Sequence, residues 1–141
     1  MSAPASTDFT VLVVEDDPDD RALVRHHLEQ RGASVIEAGT LKVAANLVPQ
    51  ADVILLDLYL PDAPGGVATV EACFRIAGQT PIVVMTGADD RDLCAACMSL
   101  GVADFLHKDT MHDGDELHRR LVVVVDARHA VRGRGERGTD G

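Results

Sequence analysis

A chain of 141 residues with 46% hydrophobic side chains has material for one sizeable core and not for two. Aromatics supply only 3% and there is no Trp, so that core must be built from Val, Leu, Ile and Ala, a composition that suits helices packed on a parallel sheet. A formal charge of −10 repels phosphate backbones and anionic lipid, which argues against unaided binding to nucleic acid or to a membrane surface.

The opening MSAPASTDFT has neither the basic start nor the apolar stretch of a secretory signal, and residues 1–8 read as a flexible N-terminus. A strand is predicted over 10–14 and a helix over 18–30, with Asp17 as its cap, Pro18 at its first position and Gly32 just past its end. A second strand over 34–37 and helix over 41–48 follow. The run DVILLDLYLP places a third, wholly apolar strand over 53–56, and the turn-rich LPDAPGG leads into a helix over 67–77. A fourth strand is predicted over 82–85, a helix over 91–100 ended by Gly101, a fifth strand over 102–106 and a fifth helix over 115–128. Five βα units in alternation make a doubly wound α/β sheet, with the first, third and fourth strands central because they are almost wholly apolar.

Within the fifth helix LVVVV has strand propensity, but helical spacing aligns Leu117, Leu121, Val124 and Val125 in one stripe. Val122 and Val123 then fall toward the outer side, and exposed apolar side chains mark partner surfaces. Residues 131–141, rich in Gly and charge, read as a disordered tail. No apolar run approaches the length of a membrane span, and three cysteines without an export signal suit a reducing compartment. A cytoplasmic location is expected.

Ligands of open parallel sheets bind beyond the carboxyl ends of the strands. There the sequence places Glu15, Asp16 and Asp17 after the first strand, Asp57 after the third, Thr86 after the fourth and Lys108 after the fifth. Crowded carboxylates repel, and a hard divalent cation such as Mg2+ relieves that repulsion while keeping positions free for phosphoryl oxygens. Asp57 is then a nucleophile able to form an acyl phosphate, with Lys108 neutralising charge and the Thr86 hydroxyl donating to the transferred group.

Other features have plainer readings. Asp17 caps a helix, and Asp19 and Asp20 are first-turn charges facing water. Cys94 and Cys97 form C-x-x-C inside a helical pattern, which is packing, and His26 with His27 is a surface pair without metal-ligand spacing. No G-x-G-x-x-G or P-loop follows any strand.

Taken in order, VLVVEDDPDDR, VILLDLYLPD, PIVVMTG and ADFLHKD resemble the receiver domains of two-component response regulators over roughly the first 130 positions, with the domain itself at 9–130. The resemblance implies a flavodoxin-like (βα)5 fold of strand order 2-1-3-4-5, phosphorylated on aspartate by a partner histidine kinase or phosphotransferase. It makes Asp57 the phosphoacceptor, Asp16 a direct Mg2+ ligand, Glu15 a ligand through water and the Tyr59 carbonyl the backbone ligand. Thr86 takes the switch position, Lys108 the phosphate-contacting position and Phe105 the rotating aromatic position. Three departures stand out: Asp109 replaces the usual proline and removes the expected cis peptide, Phe105 lacks a tyrosine's hydroxyl, and bulky Tyr59 lies beside the acceptor. The expected output is not catalysis but a changed surface of the fourth helix, fifth strand and fifth helix, offered to a downstream protein or a second copy. The rivals are a receiver-like binding module that works without phosphorylation, and an aspartyl-phosphate hydrolase of the haloacid dehalogenase sort. The latter needs a second aspartate where this chain has Tyr59.

Overall fold

Each apolar run forms a parallel strand, and each amphipathic stretch a helix that returns the chain to the start of the next. The computed structural model describes residues 8–140, with side chains as far as Val131, so nearly all of the expected flexible N-terminus lies outside the described residues. In order come β1 (Thr10–Val14), α1 (Pro18–Gln30), β2 (Ser34–Ala38), α2 (Leu41–Leu47), β3 (Val53–Asp57), α3 (Gly66–Ala77), β4 (Ile82–Thr86), α4 (Arg91–Leu100), β5 (Asp104–His107) and α5 (Gly114–Asp140). Short 3-10 turns at Val48–Gln50 and Lys108–His112 join α2 to β3 and β5 to α5.

The five strands are parallel in the order β2-β1-β3-β4-β5, the expected flavodoxin-like topology. Side chains alternate between faces along each strand, so one sheet yields two cores. Val11, Val13, Leu55 and Val83 pack with Val24 and Leu28 of α1 and with Leu117, Leu121 and Val125 of α5. Leu12, Val14, Ile54, Leu56 and Val84 pack with Ala44, Val70, Cys73 and Cys97 of α2, α3 and α4. Every residue of β3 and β4 is buried. Each fully buried Val or Leu contributes about 1.5–3 kcal/mol, which makes these strands a stiff support for their last residues.

Local chemistry sets the ends. The Asp17 carboxylate accepts from the Asp19 and Asp20 amides at 2.8 and 3.3 Å and caps α1. Pro49 has no amide proton with which to prolong α2, which ends at Leu47 rather than 48 and finishes in a 3-10 turn. Gly101 closes α4 at φ 107°, a conformation that favours glycine. The Val102 amide is committed to Cys97 O at 3.4 Å, so β5 starts at Asp104 and not at 102 as expected.

In α5 helical packing overrides the β propensity of LVVVV: Leu117, Leu121 and Val125 are fully buried. Val123 is 59% exposed, but Val122 packs partly against the core, which corrects its outward placement. The helix runs to Asp140, past the expected end at 128, so the backbone is helical over most of the Gly/Arg-rich stretch for which composition predicts disorder. A helix already nucleated by packing adds each further residue at small cost. Among the described residues no helix is long and apolar enough to cross a membrane.

Candidate functional site

The carboxyl edge of the sheet gathers the charges that the sequence places there. Glu15 directly follows β1, its amide bonded to Ala38 O at 2.9 Å, and its side chain is buried beneath the loop. Asp16 is exposed. The loop is braced from α1: Arg21 Nη1 donates to Glu15 O at 2.8 Å and to Asp16 O at 3.3 Å. Asp57 is the last residue of β3, 6% exposed, and its Oδ1 accepts from the Tyr59 amide at 3.2 Å. One oxygen each from Glu15, Asp16 and Asp57 lies within 4.8 Å of the others.

Lys108 opens the turn after β5, and its ammonium is shared. Nζ lies 2.7 Å from Glu15 Oε1, 3.0 Å from Asp20 Oδ2 and 3.6 Å from Asp57 Oδ2. Burial works against that charge, but hydrogen bonds with Glu15 and Asp20 outweigh it and hold Lys108 protonated above its ordinary value. Glu15 is pushed up to about 7, first by burial and then by hydrogen bonding with the Asp57 carboxyl, against the opposing pull of Lys108. One ammonium among four carboxylates leaves net negative charge in a half-buried pocket, and the oxygen donor set fits a hard divalent cation that keeps several waters.

Thr86 ends β4 fully buried, and its Oγ1 accepts from the Ala88 amide at 3.3 Å. The β4–β5 register pairs Thr86 with His107 and Val84 with Phe105, so Lys108 leaves the sheet one residue beyond Thr86's partner. Phe105 is half-buried against the α2–α3–α4 core. Tyr59 is 56% exposed, with its ring beside Gly65 at the start of α3. From Lys108 to Asp109 the chain continues without a cis peptide, and the His107 ring accepts from the Asp109 amide at 3.1 Å.

Glu15, Asp16, Asp57 and Lys108 are therefore brought together as the sequence predicts, and Asp17 is the expected cap. Two participants escape a sequence reading. Asp20, expected to face water, bonds Lys108 because the first turn of α1 opens onto the same sheet edge. Arg21, one residue on, ties the acidic loop to the helix. The i+3 spacing of Asp20 from Asp17 on an N-terminal turn is the signal that points to this edge. His27 is not wholly superficial, since its Nδ1 is enclosed where α1 meets α5 at Gly114. Cys97 is fully buried, consistent with packing for C-x-x-C.

Comparison with known proteins agrees with this geometry. The family model described as the response regulator receiver domain matches residues 11–122. A cyclic di-GMP phosphodiesterase of Thermotoga maritima is 34% identical over 103 residues, covering 71% of this chain and 27% of that protein. The two-component response regulator PprB of Pseudomonas aeruginosa is 29% identical over 133 residues, 86% of this chain and 48% of its own length. The chain thus spans about half or less of these relatives. The solved Mn2+-bound form of response regulator Rcp1 superposes with a TM-score of 0.62 at 26% identity, covering 75% of this chain and 88% of that one. With its family model matched across most of its length and the sheet order to go with it, this chain belongs to the response regulator receiver domains.

Proposed function

We propose that this domain is a cytoplasmic, Mg2+-dependent phosphoacceptor that takes a phosphoryl group on Asp57 from a partner histidine kinase or phosphotransferase. The observation that carries the reading is the convergence of the Glu15, Asp16 and Asp57 carboxylates, at the ends of the buried strands β1 and β3, with the Lys108 ammonium that follows β5. An Asp57 oxygen attacks phosphorus, the donor's leaving group departs with the electron pair of the broken bond, and an acyl phosphate forms. Lys108 stands 3.6 Å from Asp57, close enough to move onto the new phosphoryl oxygens. Asp16, Asp57, the Tyr59 carbonyl and, through water, Glu15 would hold Mg2+, which would supply the remaining positive charge. A neighbouring solved structure described as Mn2+-bound supports a divalent cation in this fold.

Thr86 turns its hydroxyl from the Ala88 amide to the phosphoryl group, and Phe105 repacks into the space so released. The surface that changes is that of α4, β5 and α5, where Val123, Met98 and Leu100 are exposed apolar side chains available to a downstream protein or a second copy. Hydrolysis of an external phosphate ester is not part of this reading, because Tyr59 stands where a hydrolase of the haloacid dehalogenase sort needs an acid.

The test is intact mass after incubation with Mg2+ and acetyl phosphate. Wild type gains one hydroxylamine-labile phosphoryl group and Asp57→Asn gains none. An equal adduct on Asp57→Asn overturns the assignment, as does a wild type that neither gains mass nor binds beryllofluoride with Mg2+.

A further inference from the structure

The Asp20 carboxylate has no task in the helix cap, whose acceptor is the Asp17 side chain, and it fills no core position; it reaches across to Lys108 on the last βα unit. The contact is well placed to matter. An ammonium has three protons, and at Nζ two are engaged at hydrogen-bond distance, by Glu15 at 2.7 Å and Asp20 at 3.0 Å, while Asp57 stands off at 3.6 Å. The anchor is firm, because the Asp20 amide is bonded into the Asp17 cap and α1 is seated through buried Val24 and Leu28. A phosphoryl group on Asp57 offers oxygens that draw Nζ away from α1, and the Asp20 carboxylate resists with a charge of the same sign as the phosphoryl group.

We propose that Asp20 is a positioning residue that holds the Lys108 ammonium on the α1 side in the unphosphorylated protein, so that moving it onto the phosphoryl group costs the Asp20 contact. The proposal rests on the phosphoacceptor reading and adds a device that sets the resting bias. Asp20 is a competitor for Lys108 and not a helper of the reaction, which fixes the sign of its effect.

The experiment measures beryllofluoride affinity with saturating Mg2+, by 19F NMR and by the emission of Tyr59, the one tyrosine in a chain without tryptophan. Asp20→Asn keeps the shape, removes the charge and tightens binding by about five- to tenfold, as expected for loss of a half-buried competing ion pair. Asp20→Glu restores the carboxylate and returns affinity to near the wild-type value. Asp19→Asn removes the same charge one residue away, at an exposed position, and leaves affinity unchanged. Unchanged or weaker binding by Asp20→Asn overturns the proposal. So does equal tightening by Asp20→Glu or Asp19→Asn, since neither effect runs through the Lys108 contact. These failures are separable from failure of the phosphoacceptor reading, which falls if wild type does not bind beryllofluoride or if Asp57→Asn binds it equally.

Discussion

β5 is the outer strand of the sheet, only four residues long and paired on one edge alone, yet it carries Phe105 and leads into Lys108. What fastens it to α5 is Arg120, whose Nε and Nη2 both reach the Asp104 carboxylate at 2.7 Å. The side chains are 33% and 22% exposed, so the pair lies between the surface regime of about 0.2–1 kcal/mol and the buried regime of about 3–5 kcal/mol for loss of one partner. Arg120→Ala should therefore cost about 1.5 kcal/mol. With an unfolding entropy near 2.1 cal/mol/K per residue, a domain of this length loses about 5 °C in Tm. Urea unfolding followed by circular dichroism, run as a double-mutant cycle with Asp104→Ala, should give a coupling of about 1 kcal/mol. Arg120→Lys keeps the charge but not the planar fork and should recover less than half of the loss. A coupling below about 0.3 kcal/mol, within the error of additive sites, would refute the claim that this fork fastens β5 to α5.

Burial pushes the Cys73 thiol up to about 12, so above pH 9 the unfolded chain releases this proton before the folded one does. Its contribution is intact below pH 9 and lost as pH rises toward 12, and Cys73→Ala should flatten that part of the stability profile measured by urea melts. At pH 8 a thiol reagent should modify half-buried Cys94 first, with Cys73 and Cys97 protected until unfolding. Tyr59→Asn leaves the backbone amide on Asp57 but removes the ring, and should speed loss of the acyl phosphate severalfold in a chase of phosphorylated protein; an unchanged rate discards shielding by the ring. Val123→Glu, at a 59% exposed position, should leave Tm unchanged while weakening partner binding or self-association in sedimentation, and full retention of both removes Val123 from the docking face.

What could be read from the residues divides along the range of the interactions. The strands, the choice of central ones and the acidic cluster depend on apolar runs and on which residues follow them, all local in sequence, whereas the order 2-1-3-4-5 is what the resemblance implies. The expected ends of β2, β3 and β4 each fell one residue short because Ala38, Asp57 and Thr86 still pair with their neighbours, a long-range fact. The outward placement of Val122 fails because helical spacing alone knows nothing of the core that α1 and the sheet build against α5. Asp20 was missed for the same reason: its partner lies 88 positions away, and only the closing of the first and last βα units brings them together. The Lys108–His112 turn was equally invisible, since without proline nothing in KDTMH announces a 3-10 turn.

The distribution of burial also determines where a change at Asp57 can travel. β1, β3 and β4 are packed on both faces, and shifting them would open cavities among side chains that are almost all buried, at about 24 cal/mol per Å3 of void. On one side β1 is also joined to β2 along five register pairs and Arg25 bridges Glu29 and Glu37, so that edge is tied down. On the other, β5 has half-buried Asp104 and Phe105 and a short ladder, and its position depends on the Arg120 fork and on the Lys108 ammonium. Elements with few buried contacts open at low free energy, so the cheapest response to a new charge at Asp57 is a movement of β5 and the face of α5 above it. Lys108 belongs to that movable edge and Asp20 to the fixed one. The bond between them is the place where the resting arrangement is held, and loosening it should lower the energy of the displaced state without touching the chemistry at Asp57.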